Sequence, residues 1–250
     1  MLHFRFFVAT IALATMAALA VVDLHAHAAD ATDVRGGLVP ARLTCEWQRE
    51  PTGLVEAKPR LSWIVESAGR GRVQTAWQIL AATQADMLEA GAADLWDSGR
   101  VASSETLGVP YDGQPLKSGQ RVFWKVRAWD EQATAGPWSS VASWTMGLLD
   151  QADWQAAWIT ARDDSPLHTD RGHLHLPPAR QYRKAFSATK QVRRAALHGT
   201  ALGLVEWSLD GRKVGDQWFE PGWTDYRKRV PARTHDVTHL FTGAKVTCPP

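Results

Sequence analysis

At 250 residues the chain is long enough for two domains of ordinary size, and a composition of 45% hydrophobic and 22% charged residues is that of a globular protein. A formal net charge of +2 gives no electrostatic case for nucleic acid, and the one basic cluster, DYRKRVPAR from Asp225 to Arg233, reads at least as well as a solvated strand edge. Two cysteines, Cys45 and Cys248, exclude a disulfide framework and a cysteine zinc site; pairing between them is open but nothing demands it, and Cys45, inside LTCEW, reads as a buried free thiol.

Residues 1–29 read as a secretory signal. Arg5 supplies the basic start, FFVATIALATMAALAVV from Phe6 to Val22 the apolar core, and Ala26-His27-Ala28 the small-residue cleavage site. The apolar run is at the short limit for spanning a bilayer and no charged stop-transfer cluster follows it. The expectation is therefore cleavage and export to the periplasm or beyond, with no stable membrane anchor. Thirteen tryptophans fall in the rest of the chain. Most should fill β-sandwich cores, leaving one or two exposed as stacking platforms for sugars.

A strand-rich region follows the signal. RLTCEW (42–47) and RLSWIVES (60–67) alternate around the turn signals EPTG and KPR, and TAWQILAAT (75–83) is a further, half-buried apolar run. QADMLEAGAADLWDSG (84–99) starts like a helix but is ended within about two turns by Gly91 and the Asp-Ser-Gly run. In RVFWKVRAWD (121–130), Val122, Trp124, Val126 and Ala128 share one face, while Phe123, Lys125, Arg127 and Trp129 share a partly wet one. GPWSSVASWTMG (136–147) is a turn and a closing strand. Short strands separated by Gly, Pro, Asp and Ser turns predict an antiparallel sandwich over 38–149.

LKSGQRVFWKVRAWD resembles a fibronectin type III module. The position where that module carries its corner Tyr is Val122 here, so the hydroxyl-to-backbone bond is missing and Phe123 or Trp124 must fill the space. Residues 150–180 read as a linker and first strand, with DWQAAWIT extended and ARDDSPLHTDRGHLHLPPAR polar and rich in Pro and His. Residues 181–250 hold a second β segment. Within it VEWSLDGRKVGD signals a hairpin turning at Asp210-Gly211, a dipeptide that accepts positive φ at both turn positions. Its strands look longer, and poorer in turn residues, than those of the first domain. The fold class expected is all-β: a fibronectin type III-like sandwich followed by an incomplete jelly-roll sandwich.

Catalytic motifs are sparse. G-x-S-x-G, H-E-x-x-H and a phosphate-cradling Gly loop are all absent from the sequence. His168, His173 and His175 are the best metal candidates, but they sit in a loop-like stretch with no carboxylate or Cys spacing to complete a site. Paired carboxylates of the kind glycoside hydrolysis needs are not marked out by apolar flanks among the 26 acidic residues.

Three stretches taken together are specific. PRLSWIVES with QTAWQILAAT, LWDSGRV through LKSG to FWKVRAWD, and VEWSLDGRKVGDQWFEPGWTDYRKRV followed by THDVT resemble the N-terminal half of bacterial α-L-rhamnosidases, almost continuously from Leu43 to Leu240. The resemblance implies a fibronectin-like module and the start of a first jelly roll. It also implies that inverting hydrolysis of terminal α-L-rhamnose is done by carboxylates on an (α/α)₆ barrel, none of which lies in this sequence. After DVTHLF the tail TGAKVTCPP departs from the family pattern, so the second domain is expected to be marginally stable alone. Some members bind rhamnose on a jelly roll through calcium and an aromatic residue, which makes Asp210, Trp223, Asp225 and Tyr226 the positions of interest for carbohydrate, with calcium as the only cofactor implied. The plainer alternative is that Trp223 packs under its own turn and Asp225 caps it. The functional expectation is a non-catalytic N-terminal piece of an exported α-L-rhamnosidase, whose partner is a rhamnose-containing glycan. The competing readings are a free-standing carbohydrate-binding or cell-surface module and an autonomous enzyme with an unrecognised site.

Overall fold

A computed structural model describes residues 37–160, 179–186 and 192–241. The signal-like segment, His168, His173, His175 and Cys248 lie outside the described residues. Among the described residues no helix is long and apolar enough to cross a membrane.

The first module is a two-sheet sandwich. Strand β1 (Val39–Cys45) pairs antiparallel with β3 (Arg60–Glu66), which pairs with β6 (Val109–Pro110). The facing sheet runs in the order β2 (Thr52–Leu54), β8 (Ala142–Met146), β7 (Arg121–Trp129), β4 (Ala76–Ala82) and β5 (Trp96–Asp97). Its β2–β8 pairing is parallel and the others are antiparallel. This is an immunoglobulin-like arrangement in which the first strand switches sheets after a turn through Glu46 and Trp47, both at positive φ.

Aromatic side chains build the core. Val122, Trp124 and Val126 of β7 are fully buried between the sheets, as the period of two requires. Trp124 meets Trp144 edge-on at 6.4 Å, Trp144 meets Tyr111 at 5.8 Å, and Tyr111 meets Trp96 at 5.3 Å, the T-shaped geometry that aligns ring edge with ring face. Val122, at the position of the corner tyrosine, is buried, and so is Trp124 beside it in the core. A different tyrosine makes the hydroxyl-to-backbone bond, for Tyr111 Oη donates to Gln114 O at 2.8 Å. Trp63 Nε1 donates to the buried Gln74, whose amide in turn reaches the carbonyls of Ser103 and Glu105.

Strand β4 departs from expectation, because it is buried throughout rather than half-buried. Trp77, Ile79 and Ala81 face the main core, while Leu80 and Ala82 are covered by Leu88 of the short helix α1 (Ala85–Glu89), with Phe123 and Trp138 packed against them. The outer face of β7 is likewise less wet than its sequence suggests. Arg127 lies between the rings of Trp129 (4.7 Å) and Trp138 (4.6 Å) and donates twice to Gln78 Oε1, at 3.0 and 2.7 Å. The guanidinium is flat and weakly hydrated, so it can roof this face where an ammonium would demand more water.

The second segment differs more from its sequence reading. DWQAAWIT follows directly on a 3-10 turn at Gln151–Asp153 and forms no strand, and 181–186 of QYRKAFSA is not a strand either. Residues 155–160 and 179–186 are exposed and form no strand. The longest strands beyond have five residues, against seven to nine in β1, β3, β4 and β7. Strand β9 (Ala196–Thr200) pairs with β12 (Ala232–Asp236), and β10 (Ser208–Leu209) with β11 (Arg212–Lys213). The cause is turn density, since Gly203, Asp210, Gly211, Gly215, Phe219 and Gly222 all sit at positive φ between β9 and β12. The Asp210-Gly211 hairpin forms as expected, with φ of 50° and 72°.

The core here is small: Leu209, Val214, Val237 and Leu240 are buried, against fifteen residues in the main cluster of the first module. It leans on its neighbour. Gly53 of β2 faces Thr234 of β12 so closely that a Cβ at residue 53 would lie 2.5 Å from Thr234 Cβ. Arg194 donates to Gly119 O across the same seam.

Candidate functional site

The loop between β11 and β12 holds three of the four expected site residues. Thr224 Oγ1 donates to Arg229 O at 2.6 Å, and Asp225 O accepts from the backbone N–H groups of Lys228 and Arg229, closing a tight turn over 224–229. Within it the Asp225 carboxylate accepts from Arg227 N at 3.2 Å and Arg227 Nε at 3.1 Å. The aspartate therefore caps its own turn. The basic run Arg227-Lys228-Arg229 sits exposed at this turn rather than along a strand edge.

Trp223 does not pack beneath the turn; it is 81% exposed. Its ring lies 6.1 Å from that of Tyr226 at 35°, a tilted pair that opens a stacking surface to solvent. Tyr226 Oη is buried and makes no hydrogen bond among the described residues. Asp210 occupies a separate turn at the tip of the β10–β11 hairpin. Four of the thirteen tryptophans are exposed, Trp47, Trp158, Trp218 and Trp223, more than the one or two expected.

Calcium would need several oxygen ligands at one point. Among the described residues no three His, Cys, Asp or Glu side chains converge to hold a metal ion, and the Asp225 carboxylate is held by Arg227. These residues do not fit a calcium site.

The residues that sequence reasoning missed lie just before Trp223. Glu220 is buried, with Oε2 3.0 Å from His235 Nε2, off the hydrogen-bonding direction, and Oε1 3.8 Å from Arg233 Nε. Val205 N donates to Glu220 O at 2.7 Å in an isolated antiparallel bridge. The clue was in the sequence: Trp218, Phe219 and Pro221 are the apolar flanks sought around a carboxylate. Its neighbours are the Arg233 guanidinium and the His235 imidazole on β12, so Glu220 anchors the loop there instead of facing a second acid across a cleft. The acidic pair Asp130 and Glu131 in the first module is likewise tied up, sharing Arg72 at 2.8 and 2.7 Å. Neither arrangement is the acid-and-base pair that glycoside hydrolysis requires.

Comparison with known proteins gives this architecture its relatives. Residues 40–150 match the family model for the Rha78A-like, N-terminal immunoglobulin domain, and residues 190–246 match that for the alpha-L-rhamnosidase N-terminal domain. The chain is 40% identical over 196 residues to an α-L-rhamnosidase of Alteromonas sp. (strain LOR), covering 77% of this chain and 21% of that protein. It is 36% identical over 202 residues to an α-L-rhamnosidase of Formosa agariphila, covering 80% and 21% respectively. The solved α-L-rhamnosidase of Dictyoglumus thermophilum superposes with a TM-score of 0.73 at 32% identity, covering 83% of this chain and 24% of that one. The chain thus spans about a fifth of the length of the curated relatives it matches. With both N-terminal domain models matched in order, the chain corresponds to the N-terminal region of the α-L-rhamnosidase family.

Proposed function

We propose that the chain is the N-terminal, non-catalytic part of an exported α-L-rhamnosidase that removes terminal α-L-rhamnose from glycans with inversion, the reacting carboxylates lying on a domain outside these 250 residues. The observation that carries this reading is the alignment itself: about four fifths of this chain is matched, in order, to about one fifth of each relative. Glu220, Asp130 and Glu131 are consistent with it, because each is engaged with an arginine or histidine side chain. Export rests on residues 1–29. In this role the first module is a rigid block and the second the adaptor that it supports.

A carbohydrate-binding role for Trp223, Tyr226, Asp225 and Asp210 rests on the exposed indole of Trp223 and its pairing with Tyr226. The principal reading is tested by exchange. Residues 40–246 replace the matched segment of the Alteromonas enzyme, and hydrolysis of an aryl α-L-rhamnoside is measured. Retained turnover is expected. An unfolded or inactive hybrid would refute the assignment.

A further inference from the structure

Strand β1 ends in a two-residue turn of unusual composition. Cys45 N donates to Gln48 O at 2.9 Å and Gln48 N to Cys45 O at 3.0 Å, leaving Glu46 and Trp47 as the turn residues, at φ of 46° and 66°. Such a turn favours Asn-Gly, because both positions need the left-handed region that a bulky side chain adopts only under strain. At Glu46 the strain is offset by bonding. Its carboxylate accepts from Arg60 N at 2.7 Å, Arg60 Nε at 3.1 Å and Arg60 Nη2 at 2.7 Å. Trp47 has no comparable bonds. Its indole N–H makes no hydrogen bond among the described residues, and the residue is 54% exposed.

The ring is nevertheless held in place. Arg60 Cζ lies 5.5 Å from the indole centroid, and a Cβ at Gly108 would come within 3.8 Å of Trp47 Cη2. A guanidinium stacked on an indole fixes its plane while more than half of the residue stays open to water. The turn belongs to the first module, whose two sheets enclose its main core, so this exposure does not arise from the short strands of the second segment. A turn shaped for stability alone would carry Gly at residue 47. Strain that local bonding leaves uncompensated marks a side chain kept for use.

We propose that Trp47 is a stacking platform for a pyranose ring of a glycan, a carbohydrate contact separate from the Trp223 turn. The ligand class rests on the reading given above, since the matched relatives are α-L-rhamnosidases. An indole offers a flat apolar surface to the C–H face of a sugar ring. A few polar groups must then orient the hydroxyls. Arg60 Nη1 takes no part in the bonds to Glu46, and the exposed Gln48 side chain, next to Trp47, makes no hydrogen bond among the described residues.

The test labels the 250-residue chain with fluorotryptophan and titrates it with methyl α-L-rhamnoside, followed by fluorine NMR. The resonance missing from Trp47→Asn is that of Trp47, Asn being chosen because it tolerates positive φ. It should move saturably with a half-point of about 10 mM, the weak affinity of one stacked ring. The melting midpoint of Trp47→Asn should stay within about 2 °C of the parent, in the chain and in the hybrid enzyme alike. No saturable movement up to about 100 mM, or the same drift with glycerol, overturns the proposal. A midpoint lower by about 5 °C or more overturns it as well. In the chain, that fall would mean the indole holds its own turn; in the hybrid alone, that it holds a neighbouring domain. The family reading fails separately: a hybrid without turnover removes the enzyme, while a saturable Trp47 shift in the chain keeps the sugar contact.

Discussion

Gly53 is the point at which the two modules can be uncoupled by one atom. It sits at φ +80° on β2, and a Cβ there would lie 2.5 Å from Thr234 Cβ and 2.6 Å from Thr234 Oγ1. Thr234 cannot simply turn away, because its Oγ1 is 2.9 Å from His198 Nδ1 on the paired strand β9. Gly53→Ala therefore combines left-handed backbone strain of about 1–2 kcal/mol with overpacking of about 1–3 kcal/mol. Even the lower part of that range, about 2 kcal/mol, changes an opening equilibrium by a factor of about 30. The small core of Leu209, Val214, Val237 and Leu240 has little to set against it. Hydrogen exchange followed by mass spectrometry reads the result strand by strand. Amides of β9 and β12 should exchange about thirtyfold faster or more, while β4 and β7 stay protected. Adding Thr234→Gly should restore part of the loss, since it removes the clash, although it gives up the contact with His198 and places a glycine in β12. The reasoning fails if β9 and β12 change by less than about threefold, or if β4 and β7 lose protection equally.

Other outcomes follow from the first module. Arg127→Ala removes a guanidinium stacked between two indoles and two hydrogen bonds to Gln78, so it should destabilise by about 1–3 kcal/mol in a thermal melt. Arg127→Lys keeps the charge but loses the flat fork, and should recover less than half of that. Glu131 is held down to about 2 by its own backbone N–H and that of Val73, with Gln132 and the Arg72 charge adding to a lesser degree against some desolvation. A carboxylate depressed in the fold contributes stability that is complete above its usual value near 4.5 and disappears as the pH falls through about 2. Between those limits Glu131→Gln should show a flatter acid-unfolding curve than the parent, and identical slopes would refute the assignment. Cys45 is pushed up to about 12, chiefly by burial and secondly by the Glu46 charge. Its peptide should resist iodoacetamide at pH 8 in the native chain and react fully in denaturant.

The first module was legible because its strands obey one rule that sequence displays. In β7 the alternation of Val122, Trp124 and Val126 with Lys125 and Arg127 is the alternation of core and roof. What the pattern could not show is that β4 has a cover on its second face, since Leu88 and Trp138 come from elsewhere in the chain. The second module was harder. Its hairpin at Asp210-Gly211 could be read from two residues, but the short strands around it depend on where non-glycine residues such as Phe219 accept positive φ, which only the folded surroundings enforce. At the candidate site Trp223 and Asp225 were visible as a turn with an aromatic. Glu220 was overlooked because Arg233 and His235, which lie beside it in the fold, come from strand β12 beyond the loop.

In the proposed role these β modules provide support and surfaces while bond cleavage happens elsewhere. The most direct measurement is release of the aryl group from an aryl α-L-rhamnoside by the purified 250-residue chain. No turnover above the chain-free rate is predicted, with or without added calcium. Saturable release that depends on Glu220, and vanishes in Glu220→Gln while the fold persists, would contradict it.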